Sequence, residues 1–139
     1  MKLILFTVEE ANRMLTEVRP RFERLVEAKR EFDRVRNRMD VLGLATSGAG
    51  EENPDVQELK RLQQRYNALA EMISNGVSTI HRRGCLIKDL DQGLLDFYAL
   101  NGERLVFLCW KLGEPEITHW HTLDSGFADR QPIGQGEPD

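Results

Sequence analysis

The residues best suited to chemistry in this chain are two histidines, His119 and His121, which lie two positions apart. In a β-strand, residues two apart point to the same face of the sheet. This spacing can therefore present two imidazole ligands to Zn²⁺ or a similar metal ion. The neighbouring sequence offers one further ligand, Asp124, which would have to fold back from the following turn. The alternative is that both histidines are half-exposed residues near a sheet edge.

Three aspartates around Gly93 form a second group with chemical potential: Asp89, Asp91 and Asp96. Paired carboxylates can exchange protons when burial separates their pKa values. Asp89 and Asp91 are better explained as turn residues, because aspartate readily hydrogen-bonds its own backbone. Asp96 lies between apolar residues in a predicted strand, so we expect it to be buried in a structural ion pair. Its predicted partner is one of three bases, Lys88, Arg104 and Arg130.

The pairing order of the predicted strands decides whether Asp96 and the histidines can meet. Asn101-Gly102 is the strongest short-range hairpin signal in the chain, and a two-residue turn there would pair Asp96 with Phe107. A five-residue turn over 111–115 would then pair Phe107 with His119. Because adjacent strands lie about 4.8 Å apart, Asp96 would be roughly 10 Å away on the next strand but one, too far to share a metal ion.

Alternation along these strands separates two faces of the predicted sheet. One face is apolar throughout and is expected to cover the helices; it carries Leu95, Phe97, Val106, Leu108, Trp110 and Trp120. The other face mixes apolar residues with Asp96 and both histidines, so it is the better place for a pocket. Its remaining members are Leu94, Tyr98, Leu105, Phe107, Cys109 and Ile117. The two tryptophans are expected to be core residues or a pocket wall.

Apolar residues spaced by three and four positions predict two long helices before the sheet. Thr7 and Glu10 form a capping box at the start of the first helix, whose stripe runs over 8–42. Pro20 interrupts this stripe, so we expect a kink or a short break near Val18–Pro20. A glycine-rich loop over 43–53 follows, and the second stripe runs over 56–80. Together they predict an antiparallel hairpin with coiled-coil-like packing.

Length and composition favour one domain of 139 residues. No apolar run approaches the roughly 20 residues that a membrane span needs, so no membrane association is expected. The only two cysteines, Cys85 and Cys109, are too far apart for a redox motif and are expected to be buried free thiols. These features favour a cytoplasmic protein.

The charge distribution argues against a nucleic-acid-binding protein. The net charge is −4. Residues 8–42 carry nine basic and eight acidic residues, whereas residues 84–139 carry four basic and ten acidic residues. A nucleic-acid interface needs clustered lysine and arginine. The local basic excesses, Arg34 to Arg38 and Arg82-Arg83, are better explained as part of a solvated face.

Several short motifs resemble those of a bacterial family catalogued as domain of unknown function 2203. The matching pieces are Thr7-Val8-Glu9-Glu10-Ala11-Asn12, Gly84, Lys88-Asp89, Gly93-Leu94-Leu95-Asp96-Phe97, Leu108-Cys109-Trp110, Gly113-Glu114, Trp120-His121, Gly126-Phe127, Arg130 and Pro132. The resemblance implies a small cytosolic protein, and it implies neither a catalytic role nor a cofactor. It marks five candidate ligand-binding positions: Asp96, Trp110, Glu114, His121 and Arg130. His119 departs from the family pattern, which weakens the two-histidine metal site.

We therefore expect an α+β fold in one domain over 1–139, with a long antiparallel helical hairpin over 7–83 packed on a small antiparallel meander of three or four strands. The meander spans 84–132, and a polar tail follows over 133–139. The favoured function is a non-enzymatic interaction or scaffold module whose hairpin self-associates or binds a protein partner. The alternative is a small-molecule or metal site on the sheet, hydrolytic in one version, built from Asp96, Glu114, His119, His121 and Arg130.

Overall fold

The computed structural model describes residues 3–134, which form a helical hairpin followed by an antiparallel sheet. The helices are α1 (Val8–Ala45) and α2 (Pro54–Arg82), and the strands are β1 (Cys85–Asp89), β2 (Leu94–Asn101), β3 (Arg104–Lys111), β4 (His119–Thr122) and β5 (Gln131–Pro132). The strands follow chain order across the sheet, and a short 3₁₀ turn, Phe127–Asp129, precedes β5. The α+β prediction is confirmed, with a fifth strand of two residues that the alternation did not predict.

The first helix begins as the sequence predicts and continues further than expected. The Glu10 backbone N–H donates to the Thr7 hydroxyl at 3.1 Å, and the Thr7 N–H donates to the Glu10 carboxylate at 2.9 Å. A kink or a short break was predicted near Val18–Pro20, and the break is wrong, because α1 is one helix of 38 residues that contains this proline. Val18 and Phe22 on either side of it are fully buried, so tertiary packing holds the helix together.

The two helices pack against each other along most of their length. The two helices come close together where Gly76 of α2 faces the Leu25 side chain of α1. A Cβ at position 76 would clash with a Leu25 methyl group. Farther from the sheet, Phe32 and Tyr66 stack at 4.5 Å between ring centroids. The hairpin is therefore closed by side-chain packing, and the connecting loop is shorter than predicted, because α1 extends to Ala45. No helix in the described part of the chain has the length and apolar character that membrane crossing requires.

The apolar face of the sheet covers the helices, as the alternation predicts. Trp110 is fully buried and meets Phe22 of α1 at 6.1 Å between ring centroids. Phe97 packs edge-on against Phe6, which precedes α1, at 5.3 Å. These contacts make the sheet, the start of the chain and the first half of α1 one hydrophobic core.

The strand register differs from the predicted one by two residues. The turn between β2 and β3 is centred on Gly102 and Glu103, with Asn101 paired to Arg104. Gly102 has a φ of +64°, and no other residue type in the described chain has positive φ. A glycine at the first central position is typical of a type II′ turn, whereas the predicted Asn-Gly turn requires positive φ at both positions.

The connection between β3 and β4 is two residues longer than predicted, because it packs on α1. The Glu114 carbonyl accepts hydrogen bonds from Arg19 at 2.7 Å and from the Trp110 indole at 2.9 Å. The Ile117 N–H donates to the Asn12 side chain at 2.8 Å, and Ile117 is buried. Phe107 therefore pairs with His121 instead of His119. A shift of two leaves the residues of the paired strands on their predicted faces. The assignment of Ile117 to the polar face is wrong, because Ile117 precedes β4 and packs in the core shared with α1.

The predicted polar tail begins later than residue 133. The Ile133 N–H donates to the Thr118 carbonyl at 2.9 Å, and its side chain packs against the core. Residues 135–139 of that predicted tail lie outside the described residues.

Replacing Phe22 by alanine should destabilise the fold by about 3–5 kcal/mol, because a fully buried aromatic ring would leave a cavity between α1 and the sheet. Urea denaturation followed by circular dichroism measures this difference. Val41→Ala is a matched control on the same helix, since Val41 is exposed and should change stability by less than about 0.5 kcal/mol. Equal effects of both changes would contradict the proposed packing.

Candidate functional site

Three side chains of different chemistry converge on the outer face of the sheet. Asp96 of β2 pairs with Cys109 of β3, which in turn pairs with His119 of β4, and His121 lies two residues farther along β4. One ligand atom each from Asp96, Cys109 and His121 lies within 4.8 Å of the other two, and all three residues are buried. His121 Nε2 lies 2.9 Å from Asp96 Oδ2. The predicted separation of roughly 10 Å between Asp96 and the strand with the histidines is thus wrong for His121.

Both ring nitrogens of His121 have oxygen partners. Nδ1 lies 2.8 Å from the Thr122 carbonyl oxygen, and Nε2 faces Asp96. Burial alone would lower the pKa of His121, but the hydrogen bonds to Asp96, Cys109 and the Thr122 carbonyl raise it to about 10. The imidazole is therefore protonated at neutral pH and forms a buried ion pair with Asp96. The predicted partners of Asp96, namely Lys88, Arg104 and Arg130, are replaced by this histidine.

The second oxygen of Asp96 has no partner in the described chain. Asp96 is 1% exposed, and its Oδ1 is buried without a hydrogen bond. Leaving such an acceptor unsatisfied costs about 1–3 kcal/mol, and more when the group is charged. The side chain is thus positioned to accept a further donor or a cation.

A cavity of about 210 Å³ opens directly beside this cluster. Its lining residues are Lys88, Asp89, Leu94, Asp96, Cys109, His121, Ser125, Gly126 and Phe127. Strands β1 to β4 supply one wall, and the segment before the 3₁₀ turn supplies the other. The three-residue cluster is therefore both buried and next to a space that can admit a small ligand.

Aromatic rings hold cationic side chains around the same face. The Lys88 ammonium lies 4.3 Å from the centroid of Phe107. The Lys111 ammonium lies 5.0 Å from the ring centroid of Phe127, and the Arg130 guanidinium lies 4.3 Å from it. Such contacts are favourable for a cation that is only partly solvated.

The five candidate ligand-binding residues separate into two neighbouring groups. Asp96 and His121 form the buried pair, whereas Glu114 and Arg130 form a bidentate ion pair with distances of 3.0 and 2.6 Å. Burial would raise the pKa of Glu114, but the Arg130 guanidinium and the Lys111 N–H lower it. Cys109 belongs to the first group, since its thiol lies within 4.8 Å of the ligand atoms of Asp96 and His121.

Trp110 and the other predicted metal ligands lie outside the three-residue cluster. Trp110 is on the opposite face of the sheet and supports the site through the Glu114 carbonyl. His119 Nδ1 contacts the Thr118 hydroxyl at 2.9 Å, and its ring is not in the group with Cys109. Asp124 accepts from the Thr122 hydroxyl at 2.7 Å. The potential ligand set therefore contains one of the two histidines of the sequence prediction.

Cys109 and Lys88 are the site residues that sequence reasoning passed over. Alternation had already placed Cys109 on the face with Asp96 and His121, but a thiol in an apolar strand is most simply explained as a core residue. The signal that could have found it is the glycine of the β2–β3 turn. A type II′ turn at Gly102 gives the register in which Asp96 and Cys109 are directly opposed.

Comparison with known proteins gives one match. A family model described as "Uncharacterized conserved protein (DUF2203)" matches residues 4–133, so the chain belongs to this family. This confirms the resemblance carried by the sequence motifs. No curated protein and no solved structure matches the chain.

Stability should fall as the pH rises from 6.5 to 10, because the folded protein retains the His121 proton over this range and the unfolded chain does not. Below pH 6.5 both states are protonated and the stabilisation is fully present. Urea denaturation in the presence of a chelator measures the slope.

Two variants control this pH experiment. His119→Gln should leave the slope unchanged, because His119 has no contact with Asp96 among the hydrogen bonds of the described chain. Asp96→Asn should remove most of the slope and cost about 3–5 kcal/mol at pH 6, since it breaks a buried ion pair. A wild-type slope no steeper than that of Asp96→Asn would contradict the assigned protonation.

Proposed function

We propose that this protein binds a divalent transition-metal ion, Zn²⁺ in particular, through Asp96, Cys109 and His121. The observation that carries the proposal is the convergence of a carboxylate, a thiol and an imidazole within 4.8 Å at a buried position. Zinc accepts oxygen, sulfur and nitrogen ligands together, at about 2.0–2.3 Å. The unpartnered Oδ1 of Asp96 supports the proposal, because a metal ion would satisfy it.

The orientation of His121 favours metal binding over nucleophilic catalysis by Cys109. In a catalytic triad the imidazole stands between the acid and the nucleophile, with one ring nitrogen for each. Here Nδ1 is held by the Thr122 carbonyl, so the acid and the thiol must share Nε2. A histidine whose second nitrogen binds a backbone carbonyl is the usual arrangement in metal sites, where that contact fixes the ring.

Three protein ligands and an adjacent cavity indicate the kind of metal site. Structural zinc sites are closed by four protein ligands, whereas catalytic sites keep one position for water or substrate. Asp96, Cys109 and His121 would hold the ion, and all three line the cavity of about 210 Å³, which would leave room for a fourth ligand. A zinc ion there would supply an acidified water for hydrolysis. The proposal therefore includes a hydrolytic activity on a small molecule.

The proposed location is the bacterial cytoplasm. Both cysteines are free thiols, and burial raises the pKa of Cys85 to about 12. A reducing compartment keeps such thiols available, and Cys109 must remain reduced to act as a ligand.

Wild-type protein purified without a histidine tag should bind one equivalent of Zn²⁺, and Co²⁺ should produce a thiolate charge-transfer band. Cys109→Ser should remove the band and weaken Zn²⁺ binding at least about 100-fold. Cys85→Ser is the matched control, because it also places a hydroxyl at a buried thiol position but lies on the opposite face of the sheet. Titration calorimetry and absorption spectroscopy measure both effects.

The metal proposal fails if Zn²⁺ binds equally to wild type and Cys109→Ser. It also fails if Zn²⁺ binds wild type with a dissociation constant weaker than micromolar. It also predicts that Zn²⁺ at 100 times its dissociation constant adds about 2.7 kcal/mol to the free energy of unfolding. His119→Gln should retain this gain, and His121→Gln should lose it.

A second candidate function is self-association through the coiled-coil-like helical hairpin. It is favoured by two exposed apolar residues near the end of the hairpin remote from the sheet, Val41 at 56% and Leu44 at 84% exposure. Exposed apolar side chains in one place often mark a protein contact.

If the hairpin end joins two copies of the chain, light scattering after size exclusion should give twice the monomer mass of 16.0 kDa. Leu44→Glu should then restore a monomer, because a charge would be buried in the contact. Leu100→Glu is the control, an exposed leucine on the sheet. A wild-type monomer at all concentrations would eliminate this candidate.

A further inference from the structure

Three of the four basic residues in the segment 84–139 gather around the face that bears the cavity, although the segment has ten acidic residues. Lys88 lies over Phe107, while Lys111 and Arg130 lie on Phe127. Phe107 packs against His121 at 5.4 Å, and Phe127 lines the cavity itself. Positive side chains are therefore concentrated around the cavity, although Asp89 and Asp96 also line it.

Lys88 is the cation of this group that both lines the cavity and lacks an acidic partner. Arg130 is neutralised by Glu114. Lys88 forms no ion pair within residues 3–134, and its ammonium contacts the ring of Phe107. The neighbouring Asp89 is engaged elsewhere, because its two oxygens accept from the Asp91 N–H and from the backbone and side chain of Gln92.

The proposed metal site would add no net charge to the cavity, because the Asp96 carboxylate and the Cys109 thiolate would neutralise a divalent cation, with His121 neutral. The other charged residues that line the cavity are Lys88 and Asp89. The Asp89 oxygens already accept hydrogen bonds from the following turn, so Lys88 is the charged side chain left to contact a ligand. A single ammonium can pair with one carboxylate, whereas a phosphate dianion would place a second negative charge near Asp89. The volume of about 210 Å³ is below that of ordinary ligand pockets, which restricts the ligand to a few heavy atoms.

We propose that the cavity binds a small monocarboxylate, one oxygen of which occupies the open metal position while the other pairs with Lys88. This inference rests on the proposed metal function, and it identifies the class of substrate or product. Lys88 would bind and orient the carboxylate, because a charge-assisted hydrogen bond to a partly enclosed ammonium is directional and strong.

The test uses the Co²⁺-loaded protein and acetate as the probe. Acetate should shift the visible bands of the bound Co²⁺ and saturate, and Lys88→Gln should weaken acetate binding about tenfold. Lys88→Gln should leave Co²⁺ affinity within about twofold, because Lys88 is not a ligand. Lys60→Gln is the matched control, a lysine of α2 paired with Glu51, and it should bind acetate as wild type does. Phosphate binding tighter than acetate would overturn the monocarboxylate assignment.

A second measurement on metal-free protein separates failure of this inference from failure of the metal proposal. In a heteronuclear NMR titration, acetate should shift the amide signals of Gly126 and Phe127, and tetramethylammonium should not. If Co²⁺ does not bind but acetate shifts these signals in a Lys88-dependent way, the metal proposal fails and the anion site stands. If Co²⁺ binds and acetate acts equally on wild type and Lys88→Gln, the carboxylate inference is overturned.

Discussion

The carbonyl oxygen of Glu114 is the point on which the arrangement of this molecule depends. It accepts hydrogen bonds from Arg19 of α1 and from the buried indole of Trp110. These bonds hold the β3–β4 connection against the helix and thereby set where β4 begins. Because β4 begins at His119, His121 falls beside Phe107, in reach of Asp96. The Glu114 side chain also positions Arg130, which lies over the ring of Phe127 in the cavity wall. One peptide group thus connects the hydrophobic core to the polar face.

The buried pair of Asp96 and His121 is difficult to explain by stability alone. Desolvating two charges costs several kcal/mol per ion, and apolar residues of similar volume often serve a fold as well or better. This pair is also incompletely satisfied, since Asp96 Oδ1 has no partner within residues 3–134. A buried polar group without a partner calls for an explanation, such as a ligand, an ion or an ordered water. The sheet face opposite the helices therefore carries a cost that packing does not require, and the proposed ligand binding would account for it.

Sequence periodicity predicted the faces of the paired strands correctly and one distance incorrectly. Side chains alternate with a period of two, so a register error of two residues leaves Asp96, Cys109 and His121 on the same face. The two register errors cancel between β2 and β4, since Asp96 is in line with His119 in both registers. The predicted gap of roughly 10 Å is the spacing of the strands, and the side chains of Asp96 and His121 reach across it to 2.9 Å. The β2–β3 register depends on the turn type at Gly102, for which Asn101-Gly102 allows two alternatives. The β3–β4 register depends on the long-range hydrogen bond from the Ile117 N–H to the Asn12 side chain, which local patterns do not encode. The helices were more predictable because their caps and stripes are local, and the break predicted at Pro20 is absent because the burial of Phe22 outweighs a backbone preference.

Charge conservation explains how one set of buried residues could exist with and without a metal ion. With protons, the cluster holds an Asp96 carboxylate, a His121 imidazolium and a Cys109 thiol, and its net charge is zero. With a divalent cation, the carboxylate, a neutral imidazole and a thiolate also sum with the metal to zero. Exchange of two protons for one dication therefore leaves the buried charge unchanged, so the surrounding core experiences no new field at long range. In the proposed metal complex the unpaired carboxylate oxygen of Asp96 would gain a partner, and this local gain would favour metal binding.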